Sequence, residues 1–164
     1  TLNVVASIDV KSANLKKYTE DYKANRTSAK ADKVRVALGR LTETDLILFT
    51  HKKHSAILAE AQTIEGAHVE FLKNMLTETV NTFYENGTYA NILTARAVAL
   101  DLTTFKAGEG KEEIAAYEKA WAAYYESLNK DTETAARAAD VMGAVAALTT
   151  VAAALAVVAK KFVL

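Results

Sequence analysis

The sequence predicts an all-α protein, an antiparallel helical bundle of about five to six helices. The chain of 164 residues contains no proline, the residue that most strongly breaks a helix. Apolar residues recur every three or four positions over most of its length, the period of an amphipathic helix. Nineteen consecutive positions, 141 to 159, carry no charge, which is typical of a helix that lies inside a bundle or in lipid.

The first ten residues are the part of the N-terminal region that does not predict a helix. Apolar side chains alternate with more polar ones from Leu2 to Val10, and a period of two is typical of extended chain. We therefore expect residues 1–10 to form an extended arm that packs on the bundle or on a neighbouring subunit. Helical periodicity then predicts a helix from Ser12 to about Asn25 and another from Ser28 to Leu41.

The most regular pattern begins at Thr42 or Thr44 and predicts one long helix that reaches Phe83. Apolar residues and two histidines follow alternating steps of three and four along it, which predicts one buried stripe. A single glycine, Gly66, is tolerated inside such a helix because it costs only about 1 kcal/mol. The stripe consists of Ile47, Thr50, His54, Ile57, Ala61, Ile64, His68, Phe71 and Met75.

Two further helices are predicted. Helix 88–105 lies between the glycine-containing turns at 86–87 and 108–110, and helix 111–128 follows the second turn. Asn86-Gly87 is also a signal for a tight β-hairpin, so an α+β fold with a small hairpin is the alternative. The absence of a linker rich in Pro, Gly or Ser predicts a single domain over residues 1–164.

The last predicted helix, 132–161, is rich in alanine and apolar on every side. Its neighbours are expected to be other helices of this chain, other subunits or a bilayer, because small residues allow close approach and the length suffices to span. The residues expected to make membrane or subunit contacts are Val141, Gly143, Val145, Leu148, Ala152, Leu155 and Ala156.

Charge is balanced over the whole chain and uneven along it. Twenty Lys and Arg residues match twenty Asp and Glu residues. Residues 10–40 carry nine basic and three acidic side chains, a local charge of +6, whereas residues 109–140 carry eight acidic and four basic ones, a local charge of −4. Such regions are typical of solvated faces that attract each other within a fold or between subunits. The zero net charge and the absence of a recognition motif argue against a nucleic-acid partner.

One local motif suggests metal chemistry. Glu65 and His68 are three residues apart, so their side chains lie on the same side of a helix. The stretch Ile64–Leu72 resembles the Glu-x-x-His helix of ferritin-like proteins, which implies a metal-binding bundle with Glu65 and His68 as ligands. No histidine follows His68, so the chain supplies one such pair. The competing interpretation is a core histidine hydrogen-bonded to a polar neighbour. His51 and His54 are expected at the surface.

Most enzyme classes find no support in the sequence. The chain has no cysteine and no Gly-x-Ser-x-Gly, which argues against a thiol or serine nucleophile, and no cofactor is predicted. We therefore expect a non-catalytic protein that acts in assembly, as a homo-oligomer or as a subunit of a complex, coat or filament. The alternatives are a membrane-anchored protein that uses residues 141–159, and a ferritin-like metal-binding bundle or carrier of a hydrophobic ligand.

Export or processing in an organelle is favoured by two observations. The chain starts at Thr1 rather than at methionine, as after removal of a leader. Asn25 and Asn86 each begin an Asn-x-Thr triplet, the acceptor sequence for N-glycosylation.

Overall fold

A computed structural model of the chain describes residues 2–130, with side chains from residue 7 to residue 129. This part of the chain is all-α and contains no strand, which confirms the predicted class. The predicted C-terminal helix 132–161 and its packing residues lie outside the described residues. The described helices are α1 (Leu2–Ala24), α2 (Ser28–Gly39), α3 (Glu43–His51), α4 (Ser55–Gln62), α5 (Ile64–Glu85), α6 (Tyr89–Phe105) and α7 (Lys111–Lys130).

The predicted extended arm over residues 1–10 is wrong, because α1 already begins at Leu2. Ile8 is fully buried, whereas Val10 is 59% exposed, a difference that a period of two cannot produce. Ile8 instead belongs to a buried stripe with steps of four and three. The alternation in the first ten residues was compatible with a helix because Val5 breaks it, and Val4, Val5 and Ile8 also fit the spacing of one helix face. The stripe consists of Ile8, Ser12, Leu15, Thr19 and Tyr22.

The long helix predicted from residue 44 to Phe83 is three helices, α3, α4 and α5. Lys53 adopts a left-handed backbone with φ of 60°, and the His54 amide donates a 2.7 Å hydrogen bond to the Phe49 carbonyl, which closes the chain reversal. At the second break the Thr63 hydroxyl donates to the Glu60 carbonyl at 2.6 Å, a local bond that competes with helix continuation. Neither break contains a glycine or proline that would announce it.

The two Asn-x-Thr triplets form the same type of turn between helices. In each, the threonine amide donates to the carbonyl of the asparagine, at 2.9 Å for Asn25 and 2.8 Å for Asn86. The threonine hydroxyl then accepts a hydrogen bond from the amide three residues later, in the first turn of the next helix, as a capping residue does. The hairpin alternative at Asn86-Gly87 is therefore wrong.

By their internal contacts the described residues divide into two compact units, residues 2–72 with 104–107 and residues 73–103 with 108–130. In the first unit, α1 packs on α2, α3 and α4, and α2 also packs on α4. This division does not test the single-domain expectation, which stays a prediction. The core of unit 1 includes Ile8, Leu15, Tyr22, Val34, Phe49, Ala61, Ile64 and Phe105, and that of unit 2 includes Leu76, Val80, Phe83, Ile92, Val98, Leu102, Tyr117 and Ala120.

Within residues 2–130, no helix combines the length and the apolar character that a bilayer crossing needs. The uncharged run 141–159 lies beyond this range.

Candidate functional site

Unit 1 is built around a fully buried histidine. His68, on α5, has no exposed surface. Its Nδ1 atom lies 2.9 Å from the hydroxyl of Tyr22 on α1, and its Nε2 atom lies 2.8 Å from the hydroxyl of Ser28, the first residue of α2. A hydroxyl can donate or accept, so both neutral tautomers of the imidazole satisfy both contacts. The imidazole thus joins three helices through polar contacts inside the core.

Aromatic rings enclose this imidazole. Phe71 stacks on His68 with ring centroids 5.9 Å apart, and Phe105 meets the imidazole edge-on at 4.7 Å. Each phenyl ring is in turn covered by a guanidinium, because Arg26 lies over Phe71 at 5.8 Å and Arg35 lies over Phe105 at 4.7 Å. Such cation–π contacts contribute about 0.5–1 kcal/mol at exposed sites.

The Ser28–His68 pair has the hydrogen-bond distance of a nucleophile and its base. The group on the other imidazole nitrogen, however, is a phenol, and burial raises the pKa of Tyr22 above its usual value, which keeps that phenol neutral. A neutral phenol cannot stabilise a transient imidazolium as the carboxylate of a catalytic triad does. The arrangement therefore agrees with the competing interpretation of the sequence, in which His68 is a core histidine hydrogen-bonded to polar neighbours.

The two residues predicted as metal ligands lie in different surroundings. His68 is buried with a polar contact at each ring nitrogen. The half-exposed carboxylate of Glu65 lies 3.2 Å from the ammonium of Lys106 and 3.7 Å from the guanidinium of Arg35. Within residues 2–130, no group of three or more His, Cys, Asp or Glu side chains is placed to hold a metal ion. The metal-binding hypothesis stays a prediction that the geometry does not favour.

The other two histidines are more accessible than His68, although the side chain of His54 is only 23% exposed. His51 is exposed, and His54 Nε2 lies 3.0 Å from the carboxylate of Asp9 on α1. This hydrogen bond, with the nearby charge of Lys52, holds the pKa of Asp9 below its usual value. The pair joins the start of α4 to α1.

A groove between α1 and α2 is one of the concave surface features of unit 1. It consists of two adjoining hollows of about 290 and 190 Å³. Tyr18, Ala37 and Arg40 line both hollows, so the two are continuous. The other lining residues are Asp32, Lys33 and Val36 in the larger hollow and Lys11, Asn14, Leu15 and Leu41 in the smaller.

The groove combines an apolar floor with a basic rim. Val36 remains 49% exposed although it is apolar, and Lys33 and Arg40 are exposed beside it. Two other charged lining residues are paired, because Lys11 binds the carboxylate of Asp45 at 2.9 Å and Asp32 forms an ion pair with Arg35. Asp32 is the only acidic side chain of this lining, and its charge is balanced by Arg35. The groove as a whole is therefore positive.

Helix α7, in unit 2, carries four glutamates and three lysines. It opens with Glu112 and Glu113, and Glu112, Glu118 and Glu126 are exposed along its length. Its buried side contributes Tyr117 and Ala120 to the core of unit 2. The basic stretch and the acidic stretch recognised in the sequence therefore correspond, over the described residues, to solvent-accessible helix surfaces.

The sequence analysis did not identify the residues that contact His68 or the apolar residue exposed in the groove. The contacts of His68 come from Tyr22 and Ser28, 46 and 40 residues earlier, and no local pattern signals such a pairing. For the groove, the excess of basic residues between 10 and 40 was a signal, but the exposure of Val36 was not foreseen. The predicted packing residues between Val141 and Ala156 lie outside the described range.

Comparison of the chain with protein-family models, with curated proteins and with solved structures finds no match.

Proposed function

We propose that this chain is a non-catalytic protein that acts in assembly, by holding an acidic amphipathic helix of another protein molecule in the groove between α1 and α2. The observation that carries the proposal is the groove itself, with Val36 exposed on its floor and Lys33 and Arg40 at its rim. Amphipathic helices bind such grooves through apolar anchors spaced three, four or seven residues apart.

The division of the groove into two hollows supports a helix as its occupant. The hollows have volumes of about 290 and 190 Å³ and share three lining residues. Hollows of this size suit single side chains that project from a helix. Two hollows in a row suit two successive anchors of one helix face.

The charge of the rim supports an acidic partner. Complementary charge at the edge of an interface accelerates association and excludes partners of the wrong sign. Lys33 and Arg40 are seven residues apart on the line of α2, so they lie on one face about two turns apart. A partner helix with glutamates at a similar spacing would meet both.

A titration with two designed peptides tests the proposal. The first is a helical peptide with leucines on one face and glutamates beside them, and the second is its copy with lysines in place of the glutamates. Added to isotopically labelled protein, the acidic peptide is expected to shift the amide signals of Tyr18, Val36 and Ala37, whereas the lysine peptide leaves them in place. Shifts that are absent, or that fall outside the groove, would contradict the proposal.

Two double variants with the same change of charge show which basic residues bind the acidic peptide. Lys33→Glu with Arg40→Glu reverses the rim and should weaken binding of the acidic peptide about tenfold, since each exposed ion pair contributes up to about 1 kcal/mol. Lys16→Glu with Lys17→Glu makes the same change of charge at exposed positions of α1 that do not line the groove. This control should bind nearly as well as the original chain. Equal weakening by both pairs would mean that only net charge matters.

A further inference from the structure

We propose that Asn25 and Asn86 are N-glycosylation sites, each of which carries an oligosaccharide on its side-chain nitrogen Nδ2. Both begin an Asn-x-Thr triplet whose middle residue is not proline, the sequence that the glycan-transferring enzyme accepts. These sites are separate from the groove, because neither asparagine lines it. Three observations support them, namely the exposure of the triplets, the part that asparagine plays in the turns and the part that threonine plays.

Both triplets are exposed over their whole length. Residues 25–27, between α1 and α2 in the sequence, and residues 86–88, between α5 and α6, are all accessible to solvent. A glycan is bulky and hydrophilic, so it needs an attachment site at the surface. One triplet lies in each of the two units, and neither asparagine belongs to a core. A glycan at either position therefore extends into solvent without displacing a packed side chain.

The fold does not require the side chain of asparagine at these turns. Asparagine is common where a helix ends in a left-handed backbone, but within residues 2–130 the one residue other than glycine with such a backbone is Lys53. Asn25 and Asn86 contribute to their turns through the main chain, with amides that donate to helix carbonyls at 3.1 and 3.0 Å. Among the described residues, neither side-chain amide takes part in a hydrogen bond. The same unrequired residue at two equivalent turns indicates a role for the side-chain nitrogen itself.

The threonine of each triplet caps the next helix, but capping does not require threonine. The hydroxyls of Thr27 and Thr88 each accept a hydrogen bond at 3.2 Å from an amide in the first turn of that helix. Aspartate, asparagine and serine cap a helix at least as well. Glycan transfer, in contrast, requires serine or threonine two residues after the asparagine. Threonine at both turns therefore meets a requirement of glycosylation that capping alone does not impose.

The modification is the transfer of one glycosyl group. The donor is an oligosaccharide joined to a lipid through pyrophosphate. Nδ2 of the asparagine forms a bond to C1 of the first sugar, the bond from C1 to the pyrophosphate oxygen breaks, and the lipid pyrophosphate leaves with that electron pair. Nδ2 gives up one proton to a base of the transferring enzyme, and the reaction needs neither oxidant nor reductant. Because this donor belongs to the secretory membranes, the proposal implies that the chain enters them, in agreement with the export expected from the sequence.

Mass spectrometry of the full chain, purified from the cells that produce it, tests the proposal. A peptide N-glycosidase removes the glycan and converts the asparagine that carried it to aspartate, and water labelled with heavy oxygen marks each aspartate formed in this way. Treatment is expected to lower the mass of the chain and to leave labelled aspartate at positions 25 and 86. An unchanged mass, with unlabelled residues at both positions, would overturn the proposal. Label at one position alone would overturn it for the other.

Variants of the two threonines separate glycosylation from capping. Thr27→Asp and Thr88→Asp keep a capping side chain but remove the acceptor sequence, so each should lose the glycan of its own turn while the helix content by circular dichroism stays unchanged. The matched controls Thr27→Ser and Thr88→Ser keep both the cap and the acceptor sequence, and they should retain the glycan. A glycan that persists after substitution by aspartate, or that is lost equally after substitution by serine, would overturn the proposal.

Discussion

Removal of one hydroxyl from each of two buried tyrosines should change stability in opposite directions. Tyr22 is 3% exposed and Tyr117 is fully buried. The Tyr22 hydroxyl lies 2.9 Å from Nδ1 of His68, whereas the Tyr117 hydroxyl has no hydrogen-bond partner among the described residues. Burial raises the pKa of Tyr117 well above its usual value, as expected for a phenol without stabilising polar contacts. Tyrosine to phenylalanine is the same chemical change at both positions.

The expected magnitudes follow from what each hydroxyl leaves behind. Tyr22→Phe leaves Nδ1 of a fully buried imidazole without its partner, and an unsatisfied buried polar group costs about 1–3 kcal/mol. Tyr117→Phe removes a hydroxyl that is already unsatisfied and exposes no new polar atom. Its substitution should therefore stabilise the protein, by up to about 1 kcal/mol.

Urea unfolding measures both effects. Far-ultraviolet circular dichroism follows all helices, and fluorescence of Trp121, the single tryptophan of the chain, follows unit 2. Tyr22→Phe should lower the unfolding midpoint seen by circular dichroism, and Tyr117→Phe should raise the midpoint seen by fluorescence. Two changes of the same sign, or a Tyr22→Phe variant as stable as the original, would refute the reasoning from hydrogen-bond satisfaction.

Three other substitutions test local features by thermal or urea unfolding. Contacts with the Thr42 amide and Lys11 hold the pKa of Asp45 below its usual value, so Asp45→Asn should cost about 1 kcal/mol near neutral pH. This cost should shrink as the pH falls below about 4, because the carboxyl of the unfolded chain then binds a proton before the native carboxyl does; a cost independent of pH would contradict this cause. Gly110→Ala should destabilise by about 1–3 kcal/mol, because φ is +68° and the new Cβ would lie 2.6 Å from Leu102. The control is Gly66→Ala in α5, where the new Cβ would have no atom within 4 Å. This substitution should stabilise by about 0.5–1 kcal/mol, so equal effects of the two substitutions on stability would exclude a steric origin. Lys53→Gly should stabilise by about 0.5 kcal/mol if its left-handed φ of 60° is strained, whereas a loss would indicate that the side chain matters more than the strain.

Helix content was predictable because it depends on a local period. The turns at 25–27 and 86–88 and the helices that begin at residues 28 and 111 follow from capping residues and glycines near each end. The two breaks on either side of α4 were not predictable, because Lys53 and Thr63 are ordinary helical residues. Contacts such as that of His54 with Asp9, 45 residues earlier, help to decide where the chain reverses.

The candidate site was only partly predictable. Glu65 and His68 were recognised by their spacing, but spacing cannot show that Glu65 meets Lys106 from the end of α6. The sequence predicted the excess of basic residues between 10 and 40, but it did not predict the groove that some of them line. Its shape depends on how α1 and α2 pack, and packing of distant segments is not encoded in any local pattern.

The contrast in exposure among the histidines gives unit 1 an internal chemical probe. A reagent that acylates imidazole can reach His51 directly, whereas His68 has no exposed surface and can react only after the helices around it separate. The rate at which His68 is modified therefore measures the free energy of that opening. Occupation of the groove should slow the reaction at His68, since Tyr22 and Ser28 belong to the same two helices that line it.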